Sequence, residues 1–155
     1  MSLEANKEVI RAYVETIFNQ RQVDRAEELV APDYLDHAAL PGQAPGLEGA
    51  KRKWGMYLVG IPDLRVTIEE LVAEGDKVAV RRSYAGTHQG ELLGIPPTGK
   101  QVRIGGISIF RLAGGKIAEQ WEQLDRLALM QQLGVVPLPG QAPPQAQPGT
   151  PSDTP

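Results

Sequence analysis

The hydrophobic period of this chain changes once, at Pro62-Asp63, and that change sets its architecture. Before it, apolar residues recur every three or four positions; after it, they alternate. Val9, Ile10, Tyr13, Val14, Ile17 and Phe18 form one stripe, with Lys7, Glu8, Arg11 and Glu15 opposite. This predicts an amphipathic helix of about four turns. Asp24 and Glu27 have the spacing of a capping box ahead of Leu29 and Val30, which predicts a shorter helix stopped by Pro32. Tyr34 to His37 then leads into a Pro/Gly loop. A third helix is expected over 47–60, where Ala50, Trp54, Tyr57, Leu58 and Ile61 line up and Pro62 follows. Gly55 weakens its interior by roughly 1 kcal/mol relative to Ala, so it needs tertiary support.

Beyond Pro62 four strands are expected. Leu64, Val66 and Ile68 alternate, and the parity switches at Leu71, which predicts a bulge near Glu69-Glu70 or burial of both faces. Glu74-Gly75-Asp76 turns into a strand over 77–88 with Val78, Val80, Arg82, Tyr84 and His88 on one face. A Gly/Pro loop connects it to a strand over 101–112, where Val102, Ile104, Ser108, Phe110 and Leu112 share a side. Gly114-Gly115 turns into the fourth strand, and 126–133 reads as a short closing helix. Three helices followed by four strands joined by turns predict an α+β domain over residues 1–136, with helices packed on one face of a strongly curved antiparallel sheet. Residues 137–155 differ in kind: seven of them are Pro and their only charge is Asp153, which predicts a disordered or extended tail.

Several function classes lack their signature. The net charge of -3 carries no basic excess, so no nucleic acid partner is expected. With no cysteine there is no disulfide scaffold, thiolate nucleophile or Cys-based zinc site. The start MSLEANKEVI has no basic n-region and apolar core, and no apolar run nears the roughly 18 residues of a membrane helix, so a cytoplasmic protein without membrane contact is expected. No GxSxG, P-loop or GxGxxG precedes a helix.

The stretch that could carry chemistry is KIAEQWEQLD, Lys116 to Asp125. Ile117, Glu119, Trp121, Gln123 and Asp125 share one strand parity. Facing inward, Glu119 and Asp125 become desolvated acids beside an indole, and burial turns a carboxylate into a base useful near neutrality. Asp125 is the principal candidate; the competing reading makes it the N-cap of the closing helix. Glu119 is expected to pair with Arg82 or Arg103, and Trp121 to wall a pocket. The only histidines, His37 and His88, fall at segment ends with Asp125, where a curved sheet can gather them at one rim. Either can instead anchor a loop, and neither sits in a helical metal pair, so no metal is expected.

GTHQGELLGIPPTGK (86–100), ISIFRLAGGKIAEQWEQLD (107–125) and MQQLGVVP (130–137) together resemble the SnoaL-like polyketide cyclases, or predicted ester cyclases. The resemblance spans roughly residues 6–137. It implies the cone-shaped α+β barrel of the nuclear-transport-factor-2-like superfamily, shared with ketosteroid isomerase. It also implies an intramolecular aldol-type ring closure of a polyketide ester or similar apolar carbonyl compound, with no cofactor. In that reaction an Asp at the end of the last strand removes the acidic α-proton and returns a proton to the attacked carbonyl, and Asp125 matches that position. His37, His88, Arg82 and Tyr84 are then candidates to bind or polarise carbonyl oxygens, with Trp121, Trp54 and Tyr34 completing the substrate site. Gln120 stands where a common family form, EHW, has His, and by simple parity it points away from the face of Asp125. A same-fold hydrolase or isomerase, using an acid–Arg pair around a water, is one alternative; a non-catalytic module for a hydrophobic ligand or for dimerisation is the other. A homodimer or higher homo-oligomer is expected through the sheet's outer face, where Ile107, Ile109 and Leu124 fall.

Overall fold

Ser2 starts the first helix: its Oγ accepts from the Ala5 N–H at 3.0 Å, capping α1 (Leu3–Tyr13). The structure is a computed structural model that describes residues 2–142. The helix continues as a π-helical segment, Val14–Asn19, so one amphipathic stripe buries Ile10, Tyr13, Val14, Ile17 and Phe18. A 3-10 turn, Val23–Glu28, stands where the second helix is expected. The helix α2 (Gly46–Gly60) and the short α3 (Arg126–Gln132) fall close to their predicted spans.

The strands are β1 (Val30–Asp36), β2 (Arg65–Glu74), β3 (Lys77–Thr87), β4 (Gln101–Ala113) and β5 (Lys116–Leu124), in the sheet order β1-β5-β4-β3-β2. The expectation of four strands is therefore corrected to five. β1 pairs parallel to β5, whereas the other neighbours are antiparallel. β1 escapes a pattern search because Pro32 interrupts it. Proline has no N–H to give a ladder, and an edge strand tolerates the loss; the pairing is irregular between Val30 and Leu35, around that residue. The sheet is curved and open, with β1 and β2 as its edges, so the implied barrel is not closed.

The alternating strand faces meet the helical stripe in a single core. Tyr13 links the layers edge-on, with ring centres 5.3 Å from Phe110 of β4 and 5.6 Å from Trp54 of α2. The predicted bulge is present, at Glu69: Ile68 faces Arg82 and Glu70 faces Arg81. A second bulge is unexpected. Arg111 pairs with Glu119 but Leu112 with Ile117, leaving Ala118 as an extra residue in β5. Of the expected tail, residues 137–142 include a turn closed by the Gln141 N–H on the Leu138 carbonyl at 2.9 Å; residues 143–155 lie outside the described residues. No helix among the described residues is long and apolar enough to cross a membrane.

Candidate functional site

The bulge at Ala118 builds the site. Ile117 is fully buried, and one extra residue later the inward parity of β5 has become even, so Gln120, Glu122 and Leu124 point inward. Glu119, Trp121, Gln123 and Asp125 are carried to the other side. The expectation that the odd residues face a pocket is thus corrected.

A mostly apolar cavity lies between the sheet and the helices, with walls from Trp54, Tyr57, Ile61, Ile104, Leu124 and Leu129. Its polar lining is Tyr13, Lys53, Arg82, Tyr84, Gln120 and Glu122, and Glu122 is the only acid among these. The free space is about 50 Å³, room for a few waters. Gly106 pairs with Leu124, and a Cβ there would stand 3.1 Å from Leu124 Cδ1 and 3.5 Å from Tyr84 Cε2, so the missing side chain makes room for these two lining residues.

One oxygen of Glu122 is heavily engaged. Its Oε2 accepts from Arg82 Nη2 at 2.7 Å, Ser108 Oγ at 3.2 Å, Gln120 Nε2 at 3.3 Å and Tyr84 OH at 3.4 Å. Its Oε1 has no hydrogen-bond donor among the described residues. Arg82 also donates to Ser108 Oγ at 2.7 Å, and Tyr34 donates to the Gln120 carbonyl oxygen. Burial works against the charge of Arg82, yet Tyr84, Glu122 and Tyr13 around it outweigh that and hold it cationic. Burial pushes the Tyr84 and Tyr13 phenols far above their ordinary range, Arg82 opposing and Glu122 adding to the effect. Burial does the same to Tyr34. All three remain hydroxyl donors at neutral pH.

The candidate residues divide accordingly. Arg82, Tyr84 and Trp54 line the cavity, and Tyr34 stands behind Gln120. Asp125 does not line it: its exposed carboxylate accepts from the Ala128 N–H at 3.0 Å as the N-cap of α3. Trp121 is 37% exposed on the outer side, its ring stacked 4.9 Å from that of His37. Expected as a pocket wall, it is instead an outer-face residue. His37 Nε2 lies 2.7 Å from Glu119, which Arg111 also holds at 2.8 Å. Those two neighbours, Arg111 first, lower the Glu119 pKa, and neither is the Arg82 or Arg103 expected. His37 does border an outer groove that shares Glu122 and Leu124 with the cavity and also includes Arg126. His88 is away from both: fully buried, it accepts the Thr98 N–H on Nδ1 at 3.2 Å and pins the loop before β4. Its rim position is corrected to a loop anchor.

Glu122 and Gln120 are site residues that strand parity hides; Ser108 falls on the inward side of β4 that parity predicts, and Lys53 lies on the helix α2. One signal for the first two was available: Ile117 and Leu124 are both apolar but seven residues apart, so no uninterrupted alternation buries both. Lys53, on α2, is buried in an ion pair with Asp36 and donates to the Ala38 carbonyl at 3.3 Å. Burial raises the Asp36 pKa, but Lys53, Gln43 and the Ala38 N–H outweigh it and leave it lowered. Among the described residues no three His, Asp or Glu side chains cluster as a metal site.

The cavity thus offers one carboxylate with a free oxygen, a buried guanidinium and phenol donors in an apolar enclosure, a set suited to moving a proton on an apolar carbonyl compound. Comparison with known proteins points the same way. The family model of SnoaL-like polyketide cyclases matches residues 7–133. The chain is 30% identical over 134 residues to the aklanonic acid methyl ester cyclase DauD of Streptomyces sp. (strain C5), covering 82% of this chain and 80% of that one. It is 28% identical over 120 residues to the nogalonic acid methyl ester cyclase of Streptomyces nogalater, covering 76% and 89%. Among solved structures, TsrD from Streptomyces laurentii superposes with a TM-score of 0.81 at 27% identity, covering 88% of this chain and 99% of that one. IdmH from Streptomyces antibioticus gives 0.72 at 33%, covering 84% and 99%.

Proposed function

Because the chain belongs to the SnoaL-like polyketide cyclase family, we propose that it closes a ring in a polyketide ester by an intramolecular aldol step, with Glu122 as acid and base and no cofactor. The observation that carries this is the asymmetry of Glu122, which lines the cavity: Oε2 is fixed by four donors while Oε1 has none among the described residues. Oε1 removes the α-proton, the enolate attacks a ketone within the same molecule, and the proton returns to the oxygen of that ketone. The phenols of Tyr13 and Tyr57 and the ammonium of Lys53 are the donors available to the two carbonyl oxygens, since the Tyr84 hydroxyl is taken by Glu122. The apolar walls exclude water, so the enolate is not quenched before it attacks.

Asp125 has no part in this chemistry in our reading; the acid/base function assigned to that end of the strand moves three residues back. The test is turnover of aklanonic acid methyl ester, the class of substrate that DauD is named for. Glu122→Gln is expected to lose about 10²–10⁴-fold in kcat, the usual worth of a positioned base, with its circular dichroism spectrum unchanged. Asp125→Asn, which preserves a good cap, keeps the wild-type rate. An active Glu122→Gln enzyme overturns the proposal.

The Arg82–Glu122 pair beside so small a free space favours a second reading, hydrolysis or isomerisation of a small apolar substrate. Heavy oxygen from labelled solvent would then enter the product of a hydrolase, whereas an aldol closure incorporates none. A homodimer through the outer sheet face and a cytoplasmic site of action belong to the same proposal. The dimer rests on an apolar row running Val72, Ala79, Ile109 and Trp121 across four strands, with exposed Ile107 beside it.

A further inference from the structure

Arg82 carries more hydrogen-bonding capacity than the protein uses. Its Nη2 serves Ser108 and Glu122, but Nε and Nη1 are buried without a partner among the described residues. The side chain is 1% exposed. Its guanidinium carbon lies 6.0, 5.4 and 5.5 Å from the ring centres of Tyr13, Tyr84 and Phe110. Those rings keep water away from the cation without supplying an anion. Glu122 is its only ion-pair partner among the described residues.

A buried cation does not give up its single anion cheaply. Yet if Glu122 accepts a proton, its charge disappears beside Arg82. When the substrate α C–H bond breaks, the proton goes to Glu122 and the electron pair enters the enolate, whose oxygen takes up the negative charge. We propose that Arg82 forms a subsite for a planar oxyanion, an enolate or phenolate, which the unused Nε and Nη1 donors bind as Glu122 is neutralised. This rests on the acid/base reading of Glu122 and deepens it. Arg82 then faces one anion throughout: the carboxylate before proton transfer, the enolate after it. C–C bond formation moves the charge to the attacked carbonyl oxygen, the proton held by Glu122 quenches it, and the original pair is restored.

The test needs no turnover. p-Nitrophenol absorbs visible light only when ionised, so its protonation state in a complex is read directly. In Glu122→Gln the amide imitates the protonated acid and leaves Arg82 without its anion. That variant is expected to bind p-nitrophenolate at least tenfold more tightly than the neutral phenol. The double variant Glu122→Gln/Arg82→Met carries neither charge and loses the preference. Thermal unfolding gives a second readout: the probe raises the midpoint of the single variant, increasingly as pH rises, and does not do so in the double variant. A single variant that binds the neutral phenol as well as the anion, or binds neither, overturns the proposal; so does a double variant that keeps the preference. If Glu122→Gln still turns over substrate but binds the phenolate through Arg82, the acid/base reading fails and the oxyanion subsite stands.

Discussion

Gln120 and Asp125 exchange places between the pattern and the molecule. By uninterrupted alternation Asp125 points inward and Gln120 outward; in the structure Asp125 caps a helix in solvent, while Gln120 is buried between Tyr34, Ser108 and Glu122. The competing reading of Asp125 as an N-cap was available from its place before the closing helix, and it is the one the backbone adopts. The histidines show the opposite limit. Nothing in local sequence says that His88 is sealed against Thr98 or that His37 stacks on Trp121, because both partners are brought in by tertiary structure. The Lys53–Asp36 pair joins α2 to β1 and was equally hidden. It carries a pH prediction. The folded-state pKa of Asp36 lies below its ordinary value of 3.8, so its contribution is fully present above that value and is lost as pH falls below it. Asp36→Asn strands a buried ammonium and is expected to cost about 3–5 kcal/mol at neutral pH. In urea titrations, the gap between wild type and variant narrows as pH drops below 3.8; a gap that stays constant into acid would contradict the assignment.

At the scale of elements, legibility tracked how much apolar signal each one carries. The bulge at Glu69 was readable because Leu71 and its neighbours change parity openly. The bulge at Ala118 was not, because polar residues on both faces of β5 leave only Ile117 and Leu124 to betray it. β1 was missed for the same reason, with Pro32 interrupting a short mixed strand that gains its partner only when β5 is in place. Since a one-residue slip flips every side chain beyond it, the bulge, by absorbing Ala118, is what keeps Glu122 on the side of Arg82. Deletion of Ala118 makes the ladder regular, because Glu119 and Ile117 already face the consecutive residues Arg111 and Leu112. Gln120, Glu122 and Leu124 then still point inward by simple alternation, so the deletion variant is expected to fold and to keep ring closure. A deletion variant that folds but has lost turnover would show that Ala118 is not merely the extra residue of the bulge.

For the whole molecule, the change of period at Pro62 was enough to read helices followed by a sheet, since segregated elements bury their faces best as two layers. The open edges of the sheet were not readable, because closure depends on which strands find each other. The outer face makes its own prediction. Val72, Ile107 and Ile109 are exposed on one side of the sheet with Trp121 beside them, and we expect this face to pair with a second copy. Ile109→Glu introduces a charge at the centre of that row and is expected to convert a dimer to a monomer in light scattering, while α2 and the cavity are undisturbed. A wild-type chain that stays monomeric at high concentration contradicts the dimer.

The central claim is that Glu122, and not Asp125, takes the substrate α-proton. It is tested most directly by following exchange of that proton with heavy water by NMR, on aklanonic acid methyl ester with the ring-closing ketone reduced so that no product forms. The account predicts rapid exchange with wild type and with Asp125→Asn, and exchange slowed about 10²-fold or more with Glu122→Gln. Exchange that survives in Glu122→Gln and disappears in Asp125→Asn would contradict it.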